Sequence, residues 1–243
     1  MINPSQEISQ PIIDLTQTLE EGIPLAHVLP AIEMRPVLSQ AKGDPVNCHS
    51  MVLSEHTGTH FDVPRHIDRE GATLDDFDPT SLCGPILKFD VKSRPKGLEI
   101  DLDLIKYVQQ NDGLEITGGS VVLLNTGHSK LWSATAKGEA YLKNRPFLSI
   151  EAAQYLVDQG TRAVGIDVGG PDRLGGDLAI HRLLLKHGVY IIESLCNLDA
   201  VPKTGYLFMA FPLKIRRGTG SPIRALAVPP QFLERLIRLT NRR

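Results

Sequence analysis

Three histidines and one aspartate lie within eleven residues of the chain, at His56, His60, Asp62 and His66. All four occupy even positions, and no other titratable residue from Ser54 onward in this stretch shares that parity. Histidine and carboxylate are the usual ligands for zinc and other divalent metals of intermediate softness. Four such groups are more than a structural brace would take from one loop, so the stretch predicts a metal site that does chemistry. Scattered surface histidines are the alternative interpretation.

The spacing of these residues limits the backbone conformations that could bring them together. An extended chain advances roughly 3.3 Å per residue, so the Cα atoms of His56 and His60 would lie about 13 Å apart, near the limit for two imidazoles that share an ion. A helix is disfavoured, because the intervening threonines and glycine are poor helix formers and a proline follows. We therefore expect a strand that bends at Gly58 and ends at Pro64, which returns His66 toward the ion.

The bulk properties of the chain exclude several classes of protein. Its 243 residues can form one large or two small domains, and its net charge of −2 gives no electrostatic case for nucleic acid or a membrane surface. No apolar run approaches the ~20 residues needed to span a bilayer, and residues 1–7 lack the features of a signal peptide. Cys48, Cys83 and Cys196 have no metal-type spacing and indicate free thiols in a reducing compartment. A cytoplasmic protein is expected.

Apolar runs and helix caps along the chain predict a mixed α/β fold. Strands buried on both faces are expected at Ser120–Asn125 and Ala163–Asp167, and a further strand at Val189–Glu193. Helices are predicted over Asp101–Gln110, Ser133–Leu142, Ile150–Gln159 (capped by Ser149), Leu178–Lys186 and from Pro229 through Leu239. We expect a single domain over residues 1–243, with strand–helix–strand units in the middle and antiparallel strands at the ends.

Two segments lack such a pattern. Residues 20–45 are rich in proline and predict a long loop, of the kind that can close over a pocket. Residues 218–222, Gly-Thr-Gly-Ser-Pro, are expected to connect two strands, Tyr206–Lys214 and Ile223–Val228.

The histidine stretch also carries a family signature. From His56 to His66 the sequence HTGTHFDVPRH matches the pattern H-x-G-T-H-x-D-x-P-x-H. The chain therefore resembles the cyclase-like metal-dependent hydrolases, which include bacterial kynurenine formamidase and isatin hydrolase. Four other segments resemble the family's opening strand, central strand end, second metal segment and closing hairpin: Ile13–Thr16, Gly165–Asp167, His181–Leu198 and Gly220–Arg224. The resemblance implies a swivelling β/β/α fold with a mixed central sheet, usually in homodimers or homotetramers.

The resemblance further implies a ligand set. In dinuclear members, the matching positions would place His56, His60 and Asp62 on one ion, and Asp62 would bridge to a second ion held by His181 and Glu193. Without the resemblance, His181 in a helix and Glu193 at a strand end would be ordinary polar residues, although a carboxylate on a buried strand end needs a cation. Zinc is typical of the formamidases, while isatin hydrolase resembles a manganese enzyme with one ion. We expect one or two ions of Zn²⁺ or Mn²⁺ per chain.

The implied chemistry is hydrolysis of an amide-like C–N bond, in an aryl formamide or a cyclic amide such as isatin. The ion would activate water and polarise the carbonyl. His66 would act as general base, taking a proton from the water and returning it to the leaving nitrogen. Asp14, Asp167 or Asp172 could orient the imidazoles, with a turn-forming role the more ordinary interpretation of Asp172.

Departures from the family pattern bear on the small-molecule substrate. The segment Val168–Asp172 stands where many relatives carry a small-residue segment with serine. His128 stands where relatives often have an aromatic, which makes it a candidate substrate contact, with an ordinary loop histidine as the alternative. Trp132 is the single tryptophan and aromatic residues are 5% of the chain, which argues against a pocket that stacks on a kynurenine ring.

Two other classes of function compete with hydrolysis. One is a lyase or cyclase that uses the same metal to stabilise an enolate. The other is a metal-binding module without catalysis, against which His66 argues, because a closed structural site does not need it.

Overall fold

The computed structural model describes residues 11–93, 97–133 and 138–240, which form thirteen strands and five α-helices. The strands are β1 (Ile13–Asp14), β2 (Glu33–Leu38), β3 (Cys48–Val52), β4 (His60–Asp62), β5 (Cys83–Asp90), β6 (Glu99–Ile100), β7 (Val121–Asn125), β8 (Phe147–Leu148), β9 (Ala163–Ile166), β10 (Tyr190–Glu193), β11 (Leu207–Met209), β12 (Gly220–Pro222) and β13 (Leu226–Val228). The helices are α1 (Leu102–Asp112), α2 (Glu139–Leu142), α3 (Ile150–Asp158), α4 (Ala179–Lys186) and α5 (Pro230–Thr240).

Nine strands form one mixed sheet in the order β1-β13-β11-β5-β7-β9-β10-β4-β12. The central neighbours β5, β7, β9 and β10 are parallel, and the strands on either side pair antiparallel. Parallel neighbours need long crossover connections, and α1, α3 and α4 lie within these connections. The predicted α/β fold with a mixed central sheet is confirmed, as are the antiparallel strands at its ends.

The central strands are buried on both faces, as their apolar runs predict. In β7, Val122 and Leu124 belong to a core shared with α1, α3 and α4, whereas Val121 and Leu123 belong to a second core. This division follows the two-residue period of strand side chains. Phe61 of β4 enters the second core with no exposed surface. Truncating such a residue to alanine costs about 3–5 kcal/mol, so Phe61 fixes β4 firmly in the sheet.

The helix boundaries follow their caps. The Asp101 side chain accepts the N–H of Leu104, and Ser149 accepts the N–H of Ala152, which confirms both predicted starts. Of the predicted helix Ser133–Leu142, residues 134–137 lie outside the described residues, and Glu139–Leu142 is helical. Residues 1–10, with the N-terminal segment considered above, also lie outside them.

Three sequence-based expectations were wrong. The supposed loop at residues 20–45 contains β2, which pairs with β3 in a largely exposed hairpin; its Pro36 is tolerated because this two-stranded ribbon shifts register between Pro36 and Leu38. The supposed connection at 218–222 contains β12, which pairs with β4. The strand predicted at Tyr206–Lys214 is limited to β11. Local pattern does not reveal β12, because it pairs with a strand distant in sequence, or β2, because it is exposed and irregular.

The three cysteines form no disulfide bonds among the described residues. Cys48, Cys83 and Cys196 are free thiols. In the described part of the chain, no helix combines the length and apolar character needed to cross a membrane.

Candidate metal centre

Strand β4 places two predicted ligands on one face of the sheet. His60 and Asp62 alternate with the core residue Phe61, so the period of two directs both away from the core that Phe61 enters. β4 pairs with β10 in a register that sets His60 opposite Glu193. His60 Nε2 lies 3.6 Å from Asp62 Oδ1 and 3.5 Å from Glu193 Oε2. The strand expected through the histidine stretch is thus limited to His60–Asp62, because His56 lies in the turn before β4 and His66 in a 3₁₀ helix after it.

The chain turns on both sides of β4 and brings two more histidines to this face. Gly58 has a φ of +64° and supplies the predicted bend between His56 and His60. After β4, a short 3₁₀ helix spans Pro64–His66. The ring centroids of His56 and His66 are 4.0 Å apart, and His56 Nδ1 is 2.8 Å from an oxygen of the Asp62 carboxylate.

A second pair of ligands comes from α4 and β10. His181 lies in the first turn of α4, and Glu193 ends β10. His181 Nε2 is 3.1 Å from Glu193 Oε1 and 3.3 Å from Asp62 Oδ2. Among the described residues, potential ligand atoms gather within 4.8 Å of one another in two sets: His56, Asp62 and His66, and His60, Asp62 and Glu193. Asp62 belongs to both sets, which is the position that a bridging carboxylate would occupy.

The outer nitrogen of His56 is held by a hydroxyl–carboxylate relay. Thr219 donates its hydroxyl to Glu55 Oε2 at 2.6 Å, so its oxygen is free to accept from His56 Nε2 at 2.9 Å. The Nε2 atom of His56 is therefore the protonated one. This leaves the lone pair on Nδ1, which faces Asp62.

The outer nitrogens of His60 and His181 are fixed in the same way. His60 Nδ1 lies 2.9 Å from the carbonyl oxygen of Gly58, which can only accept. His181 Nδ1 lies 2.5 Å from the Asp172 carboxylate, which also accepts the backbone N–H groups of Ile180 and His181. Both Nδ1 atoms therefore donate, and both Nε2 atoms present lone pairs to the carboxylates of the centre.

These contacts test whether the residues present fit a metal. Three imidazole lone pairs converge on the oxygens of Asp62 and Glu193, and acceptors remain at such distances only with a proton or a cation between them. Asp62 Oδ2 is buried and has no hydrogen bond of good geometry among the described residues. A buried carboxylate oxygen of this kind needs a positive partner. The donor set, imidazole nitrogen and carboxylate oxygen, is suited to a divalent metal of intermediate softness.

The protonation equilibria show the same demand for positive charge. Burial opposes charge on His181, but the hydrogen bond to Asp172 and the neighbouring carboxylates outweigh it and raise the pKa of His181 to about 12. Burial also acts to lower the pKa of His56, but the hydrogen bond to Asp62 and the nearby carboxylates outweigh it and raise that pKa. Burial acts to raise the pKa of Asp62 and of Glu193, yet hydrogen bonds to imidazoles hold both below their usual values. The centre keeps its carboxylates ionised and requires cations to balance them.

His66 differs from the other three histidines. It is half-buried, and its ring centroid is 5.7 Å from that of His181. Burial, together with the charges of His56 and His181, lowers the pKa of His66 although Asp62 and Glu193 oppose the shift. His66 is therefore neutral at pH 7 and able to accept a proton at the edge of the centre.

With this geometry in place, the chain can be compared with known proteins. The sequence profile of the Cyclase family matches residues 13–173. The chain belongs to this family. Two similar relatives of this Cyclase member are isatin hydrolase of Roseibium aggregatum, 31% identical over 90% of the chain and 92% of the relative, and kynurenine formamidase of Bacillus cytotoxicus, 31% identical over 92% and 96%. The recognition made from the signature is confirmed.

Solved structures of similar fold support the same family assignment. An isatin hydrolase bound to the product analogue thioisatinate has a TM-score of 0.82 and 30% identity, over 90% of this chain and 92% of that one. A potential metal-dependent hydrolase with cyclase activity has a TM-score of 0.69 and 28% identity, over 89% and 96%. These relatives are hydrolases by name, and they support an enzyme with the hydrolase fold.

The structure separates the three aspartates that the sequence offered as partners of imidazoles. Asp172 accepts from His181, so the turn-forming interpretation preferred for it was incomplete. Asp14 instead accepts from Arg224, and Asp167 from the N–H and hydroxyl of Thr126. Because Asp172 also accepts the N–H groups of Ile180 and His181 in the first turn of α4, it fixes the helix and the ligand together.

Two residues of the centre were missed in the sequence. Glu55 and Thr219 orient His56, but they lie 164 positions apart and become neighbours only because β12 pairs with β4. A signal was present, since Glu55 directly precedes the first ligand. His128 is buried, and its imidazole Nε2 donates to the carbonyl of Tyr141 at 2.8 Å. A substrate contact by His128 stays a prediction.

Proposed function

We propose that this chain is a metal-dependent hydrolase that cleaves an amide-like C–N bond, in an aryl formamide or in a cyclic amide such as isatin. The observation that carries the proposal is the convergence of three fixed imidazole lone pairs on Asp62 and Glu193. The imidazole of His66 lies beside them and makes no hydrogen bond within the described part of the chain. The names of the relatives, isatin hydrolase and kynurenine formamidase, supply the two substrate classes.

The residues that would hold the metal are His56, His60, Asp62, His181 and Glu193, for one or two ions of Zn²⁺ or Mn²⁺. A bound divalent ion lowers the pKa of water to about 7 and polarises a carbonyl oxygen. The protein contributes the orientation of the ligands, which the Thr219–Glu55 relay and Asp172 fix from outside. Such outer contacts raise ligand basicity and hold each imidazole ring in place.

His66 is the general base in this proposal. Its ring lies next to that of His56, one of the residues that would hold the metal, and its lowered pKa keeps it unprotonated at neutral pH. It takes the proton of the water during attack on the carbonyl carbon. It then gives that proton to the nitrogen as the C–N bond breaks, so that the amine leaves uncharged.

A lyase or cyclase that stabilises an enolate is the second candidate. It is favoured by the family's match and by the structural neighbour described as having cyclase activity. The same residues would then serve a different substrate, with His66 removing a proton from carbon. A metal-binding module without catalysis is disfavoured, because such a site has no use for a neutral histidine at its edge.

The test begins with metal content. The purified protein is expected to hold one or two equivalents of zinc or manganese per chain by mass spectrometry of the metals, and to hydrolyse formylkynurenine, isatin or a cyclic imide. His66→Ala should lower kcat on the best substrate by about 100- to 10,000-fold, the usual size of general-base catalysis, with metal content unchanged. His187→Ala, which removes an exposed histidine of α4's C-terminus, is the matched control. Full turnover in His66→Ala would show that another group is the base.

We also propose that residues 1–243 form a single domain that assembles as a homodimer or homotetramer in the cytoplasm. The β2–β3 hairpin and α5 carry exposed apolar side chains, among them Val37, Met51, Val52 and Ile237, which a partner copy could cover. Light scattering of the purified chain should give two or four times the mass of 26.7 kDa. A monomer at micromolar concentration would contradict this.

A further inference from the structure

One cation near the metal centre has no ion-pair partner among the residues that the structure describes, and it has no part in the mechanism above. Arg145 is half-buried, and its Nε is buried without a hydrogen bond. Among the described residues, no carboxylate lies within ion-pair distance of its guanidinium, and none accepts from it. Buried parts of charged groups are normally paired. An unpaired guanidinium beside an enzyme's metal centre therefore calls for an anion that the chain itself does not supply.

Arg145 lies against Gly169 and Gly170, two glycines of the segment Val168–Asp172 that departs from the family pattern. A Cβ on Gly169 would lie 3.3 Å from Arg145 Nη1. A Cβ on Gly170 would lie 3.6 Å from Arg145 Nη2, 3.6 Å from His181 Cε1 and 3.0 Å from Glu193 Oε1. The guanidinium thus lies along a stretch of backbone that carries no side chains. The second ligand pair, His181 and Glu193, borders the same stretch. A side chain at Gly169 or Gly170 would take up this space.

The backbone around Arg145 also fixes its direction. Asn144 has a φ of +50°, a left-handed conformation that asparagine tolerates better than most residues. The N–H of Leu148 donates to the carbonyl of Pro171 at 2.8 Å, which ties this segment to the glycine segment. Arg145 is therefore held beside the centre by two short segments that pack along each other.

We propose that Arg145 binds a carboxylate of the substrate and so selects anionic substrates over neutral ones. The planar fork of a guanidinium matches a carboxylate in bidentate geometry, and the side chain of Arg145 keeps some exposed surface. A substrate whose amide lies at the ions could direct a carboxylate on the same ring toward Arg145. The proposal rests on the proposed function for the substrate class, aryl formamides, and adds that the substrate carries a carboxylate.

The experiment compares N-formylanthranilate with formanilide, two aryl formamides that differ by one carboxylate. Metal-loaded wild type should prefer N-formylanthranilate. Arg145→Met should reduce that preference in kcat/KM by about 10- to 100-fold, the size of a lost charge-assisted bidentate contact, while kcat/KM for formanilide changes by less than about 3-fold. Arg145→Lys, which keeps the charge but not the fork, should fall between. Arg173→Met removes a nearby guanidinium that stacks on Phe147 and should leave the preference unchanged.

A binding measurement separates this proposal from the proposed function. The Kd of anthranilate, measured by calorimetry, should rise at least 10-fold in Arg145→Met. If wild type hydrolyses neither formamide, the aryl formamide class of the proposed function is wrong, and the Kd comparison still decides the role of Arg145. If both formamides lose rate equally, if the preference survives in Arg145→Met, or if wild type does not bind anthranilate, the carboxylate site is wrong.

Discussion

The two ligand segments of the metal centre are built differently. The first, residues 56–66, delivers its histidines and Asp62 from the short strand β4 and the turns that flank it, and Thr219, next to distant β12, holds His56. The second delivers His181 from a helix and Glu193 from a strand end, and Asp172 in the preceding loop holds His181. Contiguous ligands are thus stabilised by a contact far away in sequence, while separated ligands are stabilised by one nearby. In both segments, a residue outside the ligand set orients an imidazole ligand.

The largest effect should come from the residue that both segments share. Asp62→Ala removes the carboxylate common to both sets, so metal affinity should fall by more than the 10- to 100-fold typical of outer-contact mutations, with activity lost in proportion. Metal content after dialysis and kcat/KM provide the measurement. Asp158→Asn on α3 is an exposed control. Retention of a full metal complement in Asp62→Ala would refute the shared-ligand description.

A smaller and one-sided effect is expected for Asp172→Asn. The uncharged amide has one acceptor oxygen in place of two, so it cannot accept from both Ile180 N–H and His181 Nδ1–H, and the affinity of the ion at His181 and Glu193 should drop about 10- to 100-fold. Loss of the charged acceptor at the start of α4 should also cost about 1 kcal/mol of stability. Equilibrium dialysis with zinc and denaturant unfolding give the two numbers. Equal loss of every bound ion would mean that the two segments act as one unit.

The smallest effect is expected for Thr219→Val, which keeps the shape of the side chain but removes the acceptor of His56 Nε2–H. Because Glu55 and water can partly replace that acceptor, we expect about a 10-fold loss of metal affinity, at the low end for such contacts. Thr219→Ser retains the hydroxyl and should keep most of the wild-type metal affinity. If Ser and Val variants behave alike, the methyl packing of Thr219 matters and the relay does not.

Local patterns accounted for much of the fold. The caps Asp101 and Ser149 start their helices as predicted, because a side-chain acceptor for free N–H groups acts within a few residues. The run Val121–Asn125 was recognisable as a strand buried on both faces, since each face of a central strand meets apolar neighbours. The β2 strand escaped prediction because it is largely exposed and carries a proline, so its pairing with β3 leaves little hydrophobic pattern.

By itself, the sequence determined the metal stretch. The spacing of His60 and Asp62 follows from the strand period, the bend before them from Gly58, and the core anchor from Phe61, all of which act within a dozen residues. The tertiary structure alone decided which distant groups meet it: Thr219 through β12, Glu193 through β10, and Arg145 across the glycines before α4. Such meetings depend on which strands become neighbours in the sheet, and that choice is made by the packing of the whole core and is not encoded in any one segment.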